Sequence, residues 1–72
     1  MTNTKKLRAL ILERGLTQEQ VAANLGITPA SLNYKINNKR EFKASEIKAL
    51  VELLNIPDGD VSMIFFTPDV DL

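Results

Sequence analysis

Residues 17–38, TQEQVAANLGITPASLNYKINN, leave the chain little freedom, because they read as two short helices broken by one tight turn. Thr17 carries a hydroxyl that can cap a helix. Glu19 and Gln20 follow in the first turn, where carboxylate and amide groups favour the free N–H groups. Val21, Ala22 and Leu25 then fall on one face at helical spacing. Gly26 stands just past the last periodic residue, where a left-handed backbone is often needed and glycine adopts it at least cost. Ile27 can point back into a core. Thr28 is a second N-cap, and Pro29 takes the first helical position, where its missing N–H costs nothing. Leu32 and Ile36, four apart, give the second helix a narrow buried stripe.

At about 100° per residue, Ala30, Asn33, Tyr34 and Asn37 point away from that stripe. They are small or polar, and none is acidic. A helix held by one face, with amide and phenol groups on the other, can be offered to a groove. The stretch resembles the helix-turn-helix of phage repressor and Cro-type regulators. Leu16-Thr17-Gln18, Ala22, Leu25-Gly26-Ile27, Leu32, Ile36-Asn37 and the basic Lys39-Arg40 pair carry the resemblance. In that pattern Ala22 is the small residue that lets the two helices approach, and Gly26 makes the turn. The competing reading is an ordinary helical hairpin with no nucleic-acid role.

Seventy-two residues allow one domain, and a hydrophobic content of 44% supplies one small core. With no Cys and no His, the chain lacks disulfides, thiol nucleophiles, imidazole bases and the usual transition-metal ligands. A reducing compartment fits. The apolar runs fall far short of the ~20 residues that span a bilayer. The basic-then-apolar start MTNTKKLRALILERG is cut short by Glu13 and Arg14 and lacks a small-residue cleavage site, which argues against a signal peptide. Net charge is zero but unevenly placed. Residues 1–48 hold all nine Lys and Arg against four Glu, a net +5; residues 49–72 hold Glu52, Asp58, Asp60, Asp69 and Asp71 and no base. One half can attract phosphate while the other is kept away from it.

A first helix, capped by Asn3 or Thr4 and running to about residue 14, has Leu7, Leu10 and Ile11 as its core face, with Leu12 off that face. Lys5, Lys6 and Arg8 decorate the rest, and Gly15 ends the helix. After the two motif helices, NNKREFK forms a loop in which Asn38 suits a left-handed turn and Phe42 suits a core anchor. A fourth helix covers roughly residues 44–54, with Ser45 or Lys43 near its start and Ile47, Leu50, Val51 and Leu54 as its stripe; Leu53 is surplus. Asn55 closes it and Pro57 prevents continuation. Asp58 or Asp60 can cap a short fifth helix, from residue 60 to about 65, with Val61, Ile64 and Phe65 turned inward. The last residues alternate Val70 and Leu72 with acids and suit a short strand or a loose tail.

Five helices with the helix-turn-helix second and third is the layout the resemblance implies: an all-α, five-helix, lambda-repressor-like DNA-binding domain over residues 1–66, then a C-terminal tail over 67–72. NNKREF before an apolar helix and IFF near the end also look like small phage-associated regulators. The family often has glycine where this chain has Asn38, an exchange a left-handed turn tolerates. The function implied is a sequence-specific double-stranded DNA-binding transcriptional regulator. The resemblance points to a phage or prophage repressor of the Cro type, working in the bacterial cytoplasm without a cofactor or small-molecule ligand. Thr28, Ala30, Asn33, Tyr34 and Asn37 would lie over base edges, and Gln18, Ser31, Lys35, Lys39 and Arg40 would clamp phosphates. Tyr34 has a second reading, as an aromatic at the rim of the core. One helix covers too few base pairs for specificity, so a two-fold dimer on a palindrome is expected. Met63, Phe66, Val70 and Leu72 are its candidate surface, with Leu12 and Leu53 as further surplus apolar residues.

No enzyme is expected. The carboxylates are scattered and read as solvated surface charge, with no Gly-rich phosphate loop or metal-ligand cluster. The alternative is a protein-interaction module on the same fold, such as an antirepressor or antitoxin. A domain cut from a longer regulator is a further alternative, against which the initial Met1 argues.

Overall fold

A computed structural model describes residues 1–68, in which five helices follow one another: α1 (Thr4–Glu13), α2 (Gln18–Leu25), α3 (Pro29–Ile36), α4 (Ala44–Leu54) and α5 (Asp58–Phe65). Each contributes a short apolar stripe to one core. Leu7, Val21, Ala22, Leu32, Ile36, Leu50 and Leu54 are fully buried in it, and Ile11, Ile56, Ile64 and Phe65 nearly so. Helix α2 packs on both α3 and α4, while α1 packs on α3 and α5. Ala22 lies between neighbours with no exposed surface, so α2 and α3 can approach closely. Phe42 is half-buried and meets Phe65 edge to face, with ring centroids 5.7 Å apart. It is the anchor that the loop after α3 was expected to need.

The first four helices stop by one device. Gly15, Gly26, Asn38 and Asn55 adopt positive φ angles of 71°, 72°, 64° and 53°. In each case the next residue's N–H reaches back to the carbonyl five residues earlier, as in Ile27 N to Ala22 O at 3.0 Å and Lys39 N to Tyr34 O at 2.8 Å. Leu16, Ile27 and Ile56 then return to the core. Lys39 does not.

The first residues form a strap across the molecule. Met1 and Thr67 exchange backbone hydrogen bonds of 2.9 and 3.0 Å, and Asn3 N donates to Ile64 O at 2.7 Å. Thr2 N donates to Asn38 Oδ1 at 2.7 Å while Asn38 Nδ2 donates back to Thr2 O at 2.8 Å. Asn38 is therefore more than a substitute for glycine. Its amide pairs with a backbone peptide and ties the end of α3 to the start of the chain. Thr4 Oγ1 adds a bond to Ile36 O at 2.7 Å, satisfying a carbonyl at the end of α3.

Some expectations need correction. Helix α5 begins at Asp58, two residues earlier than expected; Pro57 holds the cap position, and no side chain caps the helix. Asp58 and Asp60 instead lie within its first turn, where carboxylates favour the N-terminal end of the helix dipole. Leu53 is not surplus, because it packs half-buried against the core. Glu46 is not a solvated acid; it is buried. Asn3 is the cap of α1, accepting from Lys6 N. Val70 and Leu72 lie outside the described residues.

Candidate nucleic-acid interface

The motif is built by local hydrogen bonds that its sequence supplies. Thr17 Oγ1 accepts from Gln20 N at 3.1 Å and Gln20 Oε1 accepts from Thr17 N at 2.9 Å, a complete capping box at the start of α2. Gly26 closes α2, and a Cβ added there would meet nothing within 4 Å. The glycine is present for its backbone angle, not for space. Two residues on, Thr28 Oγ1 accepts from Ser31 N at 3.1 Å and starts α3, leaving its hydroxyl proton free to donate.

Helix α3 then divides sharply. Leu32, Ile36 and Lys35 are buried, whereas Ala30, Asn33 and Tyr34 are exposed and Asn37 is half-buried at the helix end. Ala30, Asn33, Tyr34 and Asn37 fall at i, i+3, i+4 and i+7, one continuous face with no carboxylate. Tyr34 is 43% exposed, so part of its ring stays open on this face. Its ring holds two cations: Lys39 Nζ lies 5.8 Å and Arg40 Cζ 5.5 Å from the centroid. Both heads are exposed. Gln18 and Ser31 are half-buried, each in the first turn of its helix.

Lys35 is the exception among the expected phosphate contacts. Its ammonium turns inward and donates to both oxygens of Glu46 at 2.7 Å, with 8% of each side chain exposed. A charge so held cannot also meet a phosphate, so Lys35 leaves the contact set. Glu46 accepts Lys43 N as well, at 2.8 Å, and thereby closes the start of α4. Burial pushes the Glu46 carboxyl up, but the hydrogen bonds from Lys35 and Lys43 and the charges of both lysines outweigh it, leaving the carboxyl below its ordinary range. The pair pins the last turn of α3 to the first turn of α4 and so fixes the pose of the exposed face.

Sequence reasoning missed a further residue. Arg8, on α1, donates from Nη2 to Asn37 Oδ1 at 3.0 Å, and Asn37 Nδ2 donates to Asn33 Oδ1 at 3.1 Å. Arg8 read only as decoration on a basic helix; nothing in its spacing signals a partner 29 residues away.

Two short helices at a fixed turn, the second with one bare polar face flanked by cations, define a helix-turn-helix domain. The chain belongs to the helix-turn-helix family, in its XRE type, whose family model matches residues 7–61. It is thus a DNA-binding transcription regulator. A comparison with curated proteins finds no match. No helix among the described residues is long and apolar enough to cross a membrane.

Proposed function

We propose that the protein is a Cro-type repressor of phage or prophage origin that binds a palindromic operator as a dimer in the bacterial cytoplasm. The observation that carries this reading is the acid-free outer face of α3, bracketed at its C-terminal end by Lys39 and Arg40. Thr28, Ala30, Asn33, Tyr34 and Asn37 lie over base edges in the major groove. Asn33 pairs with adenine N6 and N7, Ala30 meets a thymine methyl, and Tyr34 reaches sugar, base or phosphate. Gln18, Ser31, Lys39 and Arg40, with the N–H groups opening α2 and α3, hold phosphates and set orientation.

A helix of this length reads a few base pairs, and a second copy one turn along the duplex supplies the rest. The dimer surface centres on Met63 and Phe66, which are 49% and 61% exposed, and continues into residues 69–72 with Val70 and Leu72. Two large apolar side chains left open near one helix end fit burial by a partner. Selection of bound sequences from random duplex DNA tests the reading. The expected outcome is one two-fold symmetric site with half-sites about 34 Å apart. Recovery of no preferred sequence, with a protein captured in its place, favours the interaction-module alternative. Sedimentation of the intact protein beside Phe66→Ser tests the dimer: the variant should lose half the mass, and equal masses would remove Phe66 from the interface.

A further inference from the structure

We infer that Arg8 is a positioning residue for base recognition, setting through Asn37 which way the Asn33 amide faces the duplex. The inference rests on the placement of Asn33 over a base edge proposed above. Its basis is the one-way chemistry of a guanidinium, which donates hydrogen bonds and accepts none. Arg8 Nη2 lies 3.0 Å from Asn37 Oδ1, so the Asn37 amide must turn its oxygen toward α1. Its nitrogen then faces Asn33, where it donates to Oδ1 at 3.1 Å. Asn33, which is exposed, keeps both Nδ2 hydrogens and one lone pair of Oδ1 without a protein partner among the described residues.

Without Arg8 the two amides could flip together and keep one hydrogen bond between them, because each carries a donor end and an acceptor end. The donor-only group at the head of the chain removes that degeneracy. Arg8 has no carboxylate partner among the described residues, so its guanidinium is free to serve the neutral amide. The polarity matters because the adenine edge is itself ordered: N7 accepts and the N6 amino group donates. An Asn33 amide locked with its nitrogen on one side and an open oxygen lone pair beside it matches that order in one register. A flipped amide sets acceptor against acceptor. Arg8 thus lies outside the recognition helix yet contributes to its sequence preference.

The test compares Arg8→Gln, Arg8→Lys and Asn33→Ala on the selected duplex and on duplexes changed at each base pair in turn. Asn33→Ala should lower discrimination at one base pair by about tenfold. Arg8→Gln, whose own amide can donate or accept, should lower discrimination at that same pair by about fivefold, the worth of one hydrogen bond. Arg8→Lys, again a pure donor, should retain it. In the free protein the side-chain amide resonances of Asn33 and Asn37 should move in Arg8→Gln and hold in Arg8→Lys. If Asn33→Ala relaxes one pair while Arg8→Gln weakens every sequence equally, Arg8 is only a phosphate contact and the inference is overturned with the DNA reading intact. If Asn33→Ala changes no preference, the placement of Asn33 fails and the inference fails with it.

Discussion

The turns at the two ends of α3 share a backbone and differ in what they do with it. Before α3, Gly26 at φ 72° carries no side chain, and Ile27 folds back to pack on the core. After α3, Asn38 at φ 64° uses its amide to hold Thr2, and Lys39 extends over the Tyr34 ring toward solvent. The apolar contact that usually accompanies this helix stop is replaced by a cation on an aromatic face. One stop signal therefore builds the core at one end and the charged rim of the interface at the other. The residue after the left-handed position decides which.

The largest effect should come from the anchor beneath the second turn. Glu46→Gln leaves the Lys35 ammonium buried without its counter-charge and should cost about 3 kcal/mol in urea denaturation. The pH dependence has a definite sign. The carboxyl is held lower in the folded state than in the unfolded chain, so its stabilisation is complete above the unfolded value and fades as pH falls through the folded one. Wild type should lose its margin over Glu46→Gln along a descending pH series. A constant margin would detach the pair from the stability of this turn.

Exchanging the two left-handed residues gives a smaller effect and sharpens the comparison. Asn38→Gly keeps the backbone angle but removes both bonds to Thr2, a loss of about 1–2 kcal/mol. Gly26→Asn has no clamp to gain and should cost under about 1 kcal/mol, the strain of a left-handed backbone. If Asn38→Gly raises the melting temperature, the amide clamp contributes nothing. Smallest in stability is Lys39→Ile, which gives the second turn the chemistry of the first. It should move stability by no more than about 0.5 kcal/mol and shift the salt slope of DNA binding by about one. An unchanged slope would place Lys39 off the phosphates.

Much of this was legible because it is local. The caps at Thr17 and Thr28, the stops at Gly15 and Gly26 and the stripes of α1 to α4 are each set by neighbours within one or two turns. The burial of Phe65 and the exposure of Phe66 followed from the inward stripe of Val61, Ile64 and Phe65, which leaves Phe66 off it. What failed was long-range and polar. Lys35 lies 60° from Leu32 on the helical wheel, at the edge of the stripe, and looked free because its partner Glu46 belongs to another helix. The same blindness hid Arg8 behind Asn37 and the strap behind Asn38. Hydrophobic period reports which face is inside, and it carries no record of which polar atoms meet.

The central claim is that this face of α3 reads duplex DNA with cations gripping its backbone. A salt titration of binding to the selected duplex tests it most directly. With Lys35 withdrawn and Arg8 engaged by Asn37, the cations left to grip the backbone are Lys39 and Arg40, so the log–log slope should be about −2 per subunit. A slope near zero for the best selected sequence would contradict the account.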